Sequence, residues 1–128
     1  MANEPILIVD DNVQNLKLAR VILANEGYEV WTAADAEAAL ALLPTSRPHV
    51  ILMDLQLPGM DGLQLARQLK ADPSTRSIRI IALTAFAMKG DDEKALAAGG
   101  DGYLSKPIDT DRLPEIVRSH VLAAKAGS

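Results

Sequence analysis

The stretch His49-Val50-Ile51-Leu52-Met53-Asp54 decides how this chain folds. Four apolar residues in a row end on one acid, with Pro48 before them and Leu55-Gln56-Leu57-Pro58-Gly59-Met60-Asp61-Gly62 after. A short unbroken apolar run between such breakers reads as a strand buried on both faces. A carboxylate closing such a strand lies where open α/β sheets place their chemistry. Ile6-Leu7-Ile8-Val9 is the one other run of this kind, and it closes on Asp10-Asp11. If the two strands are neighbours, three carboxylates converge at one edge of the sheet.

Outward from this pair, the apolar pattern alternates between strand and helix. Asn12 is placed to cap a helix carrying Val13, Leu16, Leu18, Ala19, Ile22 and Leu23, which Gly27 ends. Tyr28–Thr32 reads as a strand, and Asp35 caps an alanine-rich helix over Ala36–Leu43, stopped by Pro44. Beyond the central strand, Asp61 precedes a helix over Gly62–Ala71. Arg79–Leu83 is a fourth strand, ending at Thr84. A helix follows, with Asp91-Asp92-Glu93 as acids of its first turn and Ala95–Ala98 continuing it, or starting already at Phe86–Lys89 with Gly90 as an interruption; Gly99-Gly100 stops it. Gly102–Ser105 is a short last strand before Lys106-Pro107. Asp109 or Thr110 then caps a final helix with Leu113, Ile116, Val117 and Val121 inward. The order is (βα)5, which calls for an α/β fold: a doubly wound parallel five-stranded sheet with helices on both faces.

Composition narrows the function. The 128 residues make one expected domain, 1–128, with no output domain; 48% are hydrophobic and 23% charged, as in a globular chain. A net charge of −4 and a pI near 5.1 disfavour nucleic acid as a partner. The absence of cysteine removes disulfides, thiolate metal sites and cysteine nucleophiles, and fits a reducing, cytoplasmic setting. No apolar run approaches the roughly 20 residues of a membrane span.

The chemistry collects at the C-terminal ends of the strands. Asp10 and Asp11 follow the first strand, Asp54 the third, Thr84 the fourth and Lys106 the fifth. Each alone has a plain reading: a helix cap, a loop acid, a strand-end threonine, a surface lysine. Jointly, at one edge of a parallel sheet, they are improbable by chance. Two carboxylates about 4 Å apart repel by roughly 4 kcal/mol at an effective dielectric of 20, so three need a counter-charge. Oxygen ligands with no His or Cys near favour Mg²⁺, with Mn²⁺ as a substitute. Thr84 offers a hydroxyl and Lys106 an ammonium to an anion on Asp54. A carboxylate in these surroundings suits the role of phosphoryl acceptor.

The acidic pair Asp10-Asp11, Asp54 within MDLQLPGMDG, Thr84-Ala85, and Tyr103 three residues before Lys106-Pro107 resemble the receiver domains of bacterial two-component response regulators. The likeness covers nearly the whole chain. It implies the flavodoxin-like (CheY-like) strand order 2-1-3-4-5. It implies phosphorylation of Asp54 by the phosphohistidine of a histidine kinase or phosphotransfer protein. It also implies Mg²⁺ on Asp11, Asp54 and the backbone carbonyl of Gln56, with Asp10 acting through water. Lys106 would pair with the phosphoryl group, its peptide bond to Pro107 being cis in such proteins. Thr84 and Tyr103 would form a switch remodelling the face of the fourth helix, fifth strand and fifth helix. The segment Phe86-Ala87-Met88-Lys89-Gly90-Asp91 is similar to stand-alone regulators of the DivK type and to receivers of hybrid kinases. Gln56 and Phe86 occupy the positions that tune hydrolysis in the family, and an apolar Phe86 is expected to shield the phosphoryl group from water.

Two other functions compete. A phosphatase of the haloacid dehalogenase kind also uses an aspartate after a parallel strand, but needs a second acid two residues on, where this chain has Gln56. A pseudo-receiver that binds partners without being phosphorylated would not need the full residue set. A Walker-type nucleotide site is absent, for want of a Gly-rich loop ending in Gly-Lys-Ser or Gly-Lys-Thr.

Overall fold

The computed structural model describes residues 4–43, 47–54, 62–84, 101–105 and 110–126. Five strands form one parallel sheet: β1 (Pro5–Val9), β2 (Glu29–Ala33), β3 (Val50–Asp54), β4 (Arg79–Thr84) and β5 (Gly102–Ser105). Their order is β2-β1-β3-β4-β5, so the doubly wound expectation holds. The described helices are α1 (Val13–Asn25), α2 (Ala36–Leu42), α3 (Gly62–Ala71) and a C-terminal helix (Arg112–Ala126).

Side-chain alternation along the strands divides the core in two. Leu7, Val9, Ile51 and Met53 point to one face, where Ala36, Ala39, Leu65 and Leu69 of α2 and α3 cover them. Ile6, Ile8, Val50 and Leu52 point to the other, beneath Ala19 and Leu23 of α1 and Leu113, Val117 and Val121 of the C-terminal helix. This double burial is why β1 and β3 are apolar without interruption.

The caps fall where the residue types place them. Asn12 accepts a bond from Asn15 N–H at 3.1 Å, and Asp35 from Ala38 N–H at 2.7 Å. Gly27, at φ 93°, ends α1 in a left-handed turn. There Gly27 N–H donates to Ala24 O and Tyr28 N–H to Leu23 O, a Schellman closure. That closure explains a one-residue shift of β2, which begins at Glu29 and not at Tyr28. The Tyr28 amide is taken by the helix end, and the ladder starts with Glu29 N–H on Glu4 O at 3.2 Å. α2 stops at Leu42, with Leu43 as its cap. β3 starts at Val50, although His49 already bonds Pro5 O and accepts from Arg79 N–H. The C-terminal helix starts at Arg112, so Asp111 directly precedes it and Thr110 stands too early to cap it. Asp109, Asp61, Pro44, the helix expected between Phe86 and Ala98, and Gly99-Gly100 lie outside the described residues.

Candidate phosphoacceptor site

The register of the two central strands builds the site. Val9 pairs with Met53, so Asp10, one residue beyond, stands beside Asp54 at the C-terminal edge. Asp10 N–H donates to Ala33 O at 3.1 Å, which carries the β1–β2 ladder one step past the strand. Asp10 is fully buried, Asp54 is 3% exposed, and Asp11 is open to solvent. One carboxylate oxygen from each of the three can be chosen so that all lie within 4.8 Å of one another. At that separation each pair repels by roughly 3–4 kcal/mol at an effective dielectric of 20.

This donor set fits a hard divalent cation. It is all oxygen and all anionic, with no histidine or cysteine in the cluster. Opposite ligands of an octahedral Mg²⁺ lie about 4.1 Å apart and adjacent ones about 2.9 Å, within small side-chain adjustments of the observed spacing. The exposed side is Asp11, so the cluster opens to solvent at the sheet edge.

Thr84 is the last residue of β4, one past Leu83, which pairs with Asp54. Its backbone therefore reaches the same edge. Tyr103 pairs with Ala82, two positions back from that edge. The side chains of Thr84 and Tyr103, and all of Gln56, Phe86, Lys106 and Pro107, lie outside the described parts of the chain. The structure thus brings together Asp10, Asp11 and Asp54, and the backbone of Thr84.

A second group of charges, not expected from sequence, sits at the opposite edge. Asp101 precedes β5 and completes its ladder with β4: its N–H donates to Ile80 O at 2.7 Å, and its Oδ2 accepts from Ile80 N–H at 2.9 Å. Lys70 Nζ donates to the same Oδ2 at 2.8 Å and to the carbonyls of Ile78 and Arg76 at 2.8 and 3.1 Å. Arg79 stands 3.6 Å from Asp101 Oδ1 and donates to His120 Nδ1 at 3.3 Å. Burial, then the Arg79 charge, hold the His120 pKa below its ordinary value, against a weaker opposing pull from Asp101. The links of Asp101 to Lys70 and Ile80, and of Arg79 to His120, span 21 to 41 residues, beyond the reach of any local pattern.

A cavity of about 410 Å³ lies between the ends of α2 and α3, away from the acid cluster. Arg47, Asp72, Ser74 and Thr75 in its lining are engaged internally. Thr75 Oγ1 donates to Leu69 O, Arg47 donates to Ser74 O, and Ser74 donates to Asp72 through both N–H and Oγ. Those two bonds hold the Asp72 carboxyl below its usual pKa. The cavity therefore offers little converging chemistry, and the acid cluster is the stronger candidate site.

A parallel 2-1-3-4-5 sheet with three carboxylates at its C-terminal edge is the arrangement expected of a receiver domain. Residues 6–118 match the response regulator receiver domain family, and the chain belongs to it. Among its relatives is the polar-differentiation response regulator DivK of Brucella anthropi, 43% identical over 116 residues, covering 91% of this chain and 94% of that protein. A CheY-like receiver domain protein from Methanospirillum hungatei superposes with a TM-score of 0.90 at 30% identity, over 99% of this chain and 100% of that one. The receiver domain of the sensor histidine kinase PA1611 of Pseudomonas aeruginosa superposes with a TM-score of 0.85 at 38% identity, over 94% and 98%. That receiver was crystallised with a magnesium ion in its active-site cleft. The chain is thus a response regulator receiver of two-component signalling, and its role is regulatory. Among the described residues, no helix is long and apolar enough to cross a membrane.

Proposed function

We propose that this receiver takes a phosphoryl group onto Asp54 from the phosphohistidine of a histidine kinase or phosphotransfer protein, and that the whole chain acts as a stand-alone regulator. An Asp54 oxygen attacks phosphorus, the P–N bond breaks, and the imidazole nitrogen leaves with the electron pair and is protonated. Asp11, Asp54 and the Gln56 carbonyl would hold Mg²⁺, with Asp10 acting through water. When bound, the ion neutralises charge on the transferring group. Lys106 pairs with the phosphoryl oxygens and Thr84 donates its hydroxyl to them. Tyr103 turns inward behind Thr84, and the face carrying the segment after β4, β5 and the C-terminal helix changes its partners. The protein performs its own phosphorylation and dephosphorylation and turns over no small molecule. Its partners are proteins, not nucleic acid or membrane, and it works in the cytoplasm.

The observation that carries the reading is the close approach of Asp10, Asp11 and Asp54 at the edge where β1 and β3 end. The extent of the match to DivK, 94% of that regulator's length, supports the stand-alone role. Intact mass after incubation with acetyl phosphate and Mg²⁺ tests it. One phosphoryl adduct is expected, absent without Mg²⁺ and absent in Asp54→Ala. A folded protein that takes no phosphoryl group from acetyl phosphate or from a phosphohistidine donor would leave an interaction scaffold in its place.

A further inference from the structure

The acid pair is held from both sides, and only one side is a sheet. On the β2 side, Asp10 N–H is bonded to Ala33 O. On the other side, Asp10 Oδ1 accepts from Asn12 N–H at 2.9 Å, closing an Asx turn around Asp11. That N–H has a defined direction because Asn12 is itself pinned. Its backbone is extended at φ −88° and ψ 112°, its Oδ1 accepts from Asn15 N–H, and its carbonyl accepts from Leu16 N–H at 3.0 Å. The bond to Asp10 is charge-assisted and partly buried, where such bonds are strongest. One turn therefore orients the Asp10 carboxylate by its hydrogen bond and fixes the backbone on either side of Asp11.

We infer that Asn12 is a positioning residue for the acid cluster: by capping α1 it fixes the amide that aims Asp10 and the turn that presents Asp11. Asn12 touches neither the transferring group nor the ion; it acts through Asp10. The inference rests on the reading of Asp10, Asp11 and Asp54 as a divalent-cation site. Partners that orient metal ligands are worth tenfold or more in metal affinity. The Asn12 amide survives a side-chain substitution and loses only its order, so the lower end of that range applies.

Isothermal titration with Mg²⁺ alone tests the inference, with no phosphodonor present. Asn12→Ala is expected to weaken Mg²⁺ about tenfold. Asn12→Ser, which keeps an acceptor for the first turn, should stay within about twofold of wild type. Asn12→Gly removes the same acceptor at little cost in helix stability, so it must show the weakening even if Asn12→Ala folds poorly. Asp101→Ala breaks hydrogen bonds at the opposite edge of the sheet and should leave Mg²⁺ binding within about twofold. Equal affinity in wild type, Asn12→Ala and Asn12→Gly would overturn the inference. Equal weakening by Asp101→Ala would do so too, by showing a general loss of order. A wild type that binds no Mg²⁺ would remove the cation-site reading itself, an outcome separate from either.

Discussion

Replacing Asp101 by alanine should destabilise the protein well beyond an ordinary surface-charge substitution. The side chain of Asp101 is only 20% exposed and takes two hydrogen bonds on Oδ2, from Lys70 Nζ and from Ile80 N–H. Hydrogen bonds to a charged group contribute about 1.5–3 kcal/mol each, and partial exposure places both near the lower bound. The Arg79 pair at 3.6 Å adds little. The expected loss is about 2–4 kcal/mol, or roughly 8–16 °C in Tm for a domain of this size. Urea unfolding followed by far-UV circular dichroism measures it. Asp101→Asn supplies the internal comparison, because its amide oxygen still accepts from Ile80 N–H while the charge facing Lys70 is gone. It should lose about half as much. A loss below about 0.5 kcal/mol for Asp101→Ala would refute the reasoning. So would an Asp101→Asn variant as unstable as the alanine variant, since the ladder-closing bond would then count for nothing.

Three further outcomes follow from the same structure. The folded state holds the His120 pKa below the 6.5 of the free side chain, so the unfolded chain binds its proton first. Stability is therefore fully present above pH 6.5 and is lost as pH falls below it; His120→Gln should flatten that slope in thermal melts taken between pH 7.5 and 5. Gly102→Ala would place its Cβ 2.5 Å from His120 Nε2, so the ring must shift against its bond from Arg79; a loss of about 1 kcal/mol or more is expected in chemical denaturation. Asp54→Asn removes one of three mutually repelling carboxylates and should raise the Mg²⁺-free stability by about 1–3 kcal/mol, while shrinking the Tm rise that Mg²⁺ produces in wild type. Calorimetry with and without the ion reads both.

The site was more legible in the sequence than the clamp at the other edge, for a physical reason. Asp10 and Asp54 close apolar runs, and a parallel sheet places all such ends together, so a local pattern carried a long-range conclusion. Asn12, Asp35 and Gly27 were legible because capping depends on side-chain chemistry within four residues. The first residue of β2 was not, because Tyr28 suits a strand and only the competing bond to Leu23 O excludes its amide from the ladder. The strand order needed the likeness to receivers, since alternation alone permits other windings. Lys70, Asp101 and His120 carried no signal, being ordinary residues at a helix end, before a strand and inside a helix. What joins them is the approach of three elements far apart in sequence. The link from Asn12 to Asp10 was missed although it spans two residues, because a helix cap explained Asn12 without it.

The C-terminal helix runs back from the acid edge, as His120 on Arg79 at the start of β4 shows. β1 likewise sets out from the far edge, where Glu4 meets Glu29. Both ends of the described fold thus emerge on the side away from Asp54. A fluorescent protein, an affinity handle or a surface tether joined at either end would leave the acid edge facing outward for a donor protein to reach. The fold works as a plug whose leads all exit from the back, which suits it to immobilised binding assays and to fusion without redesign.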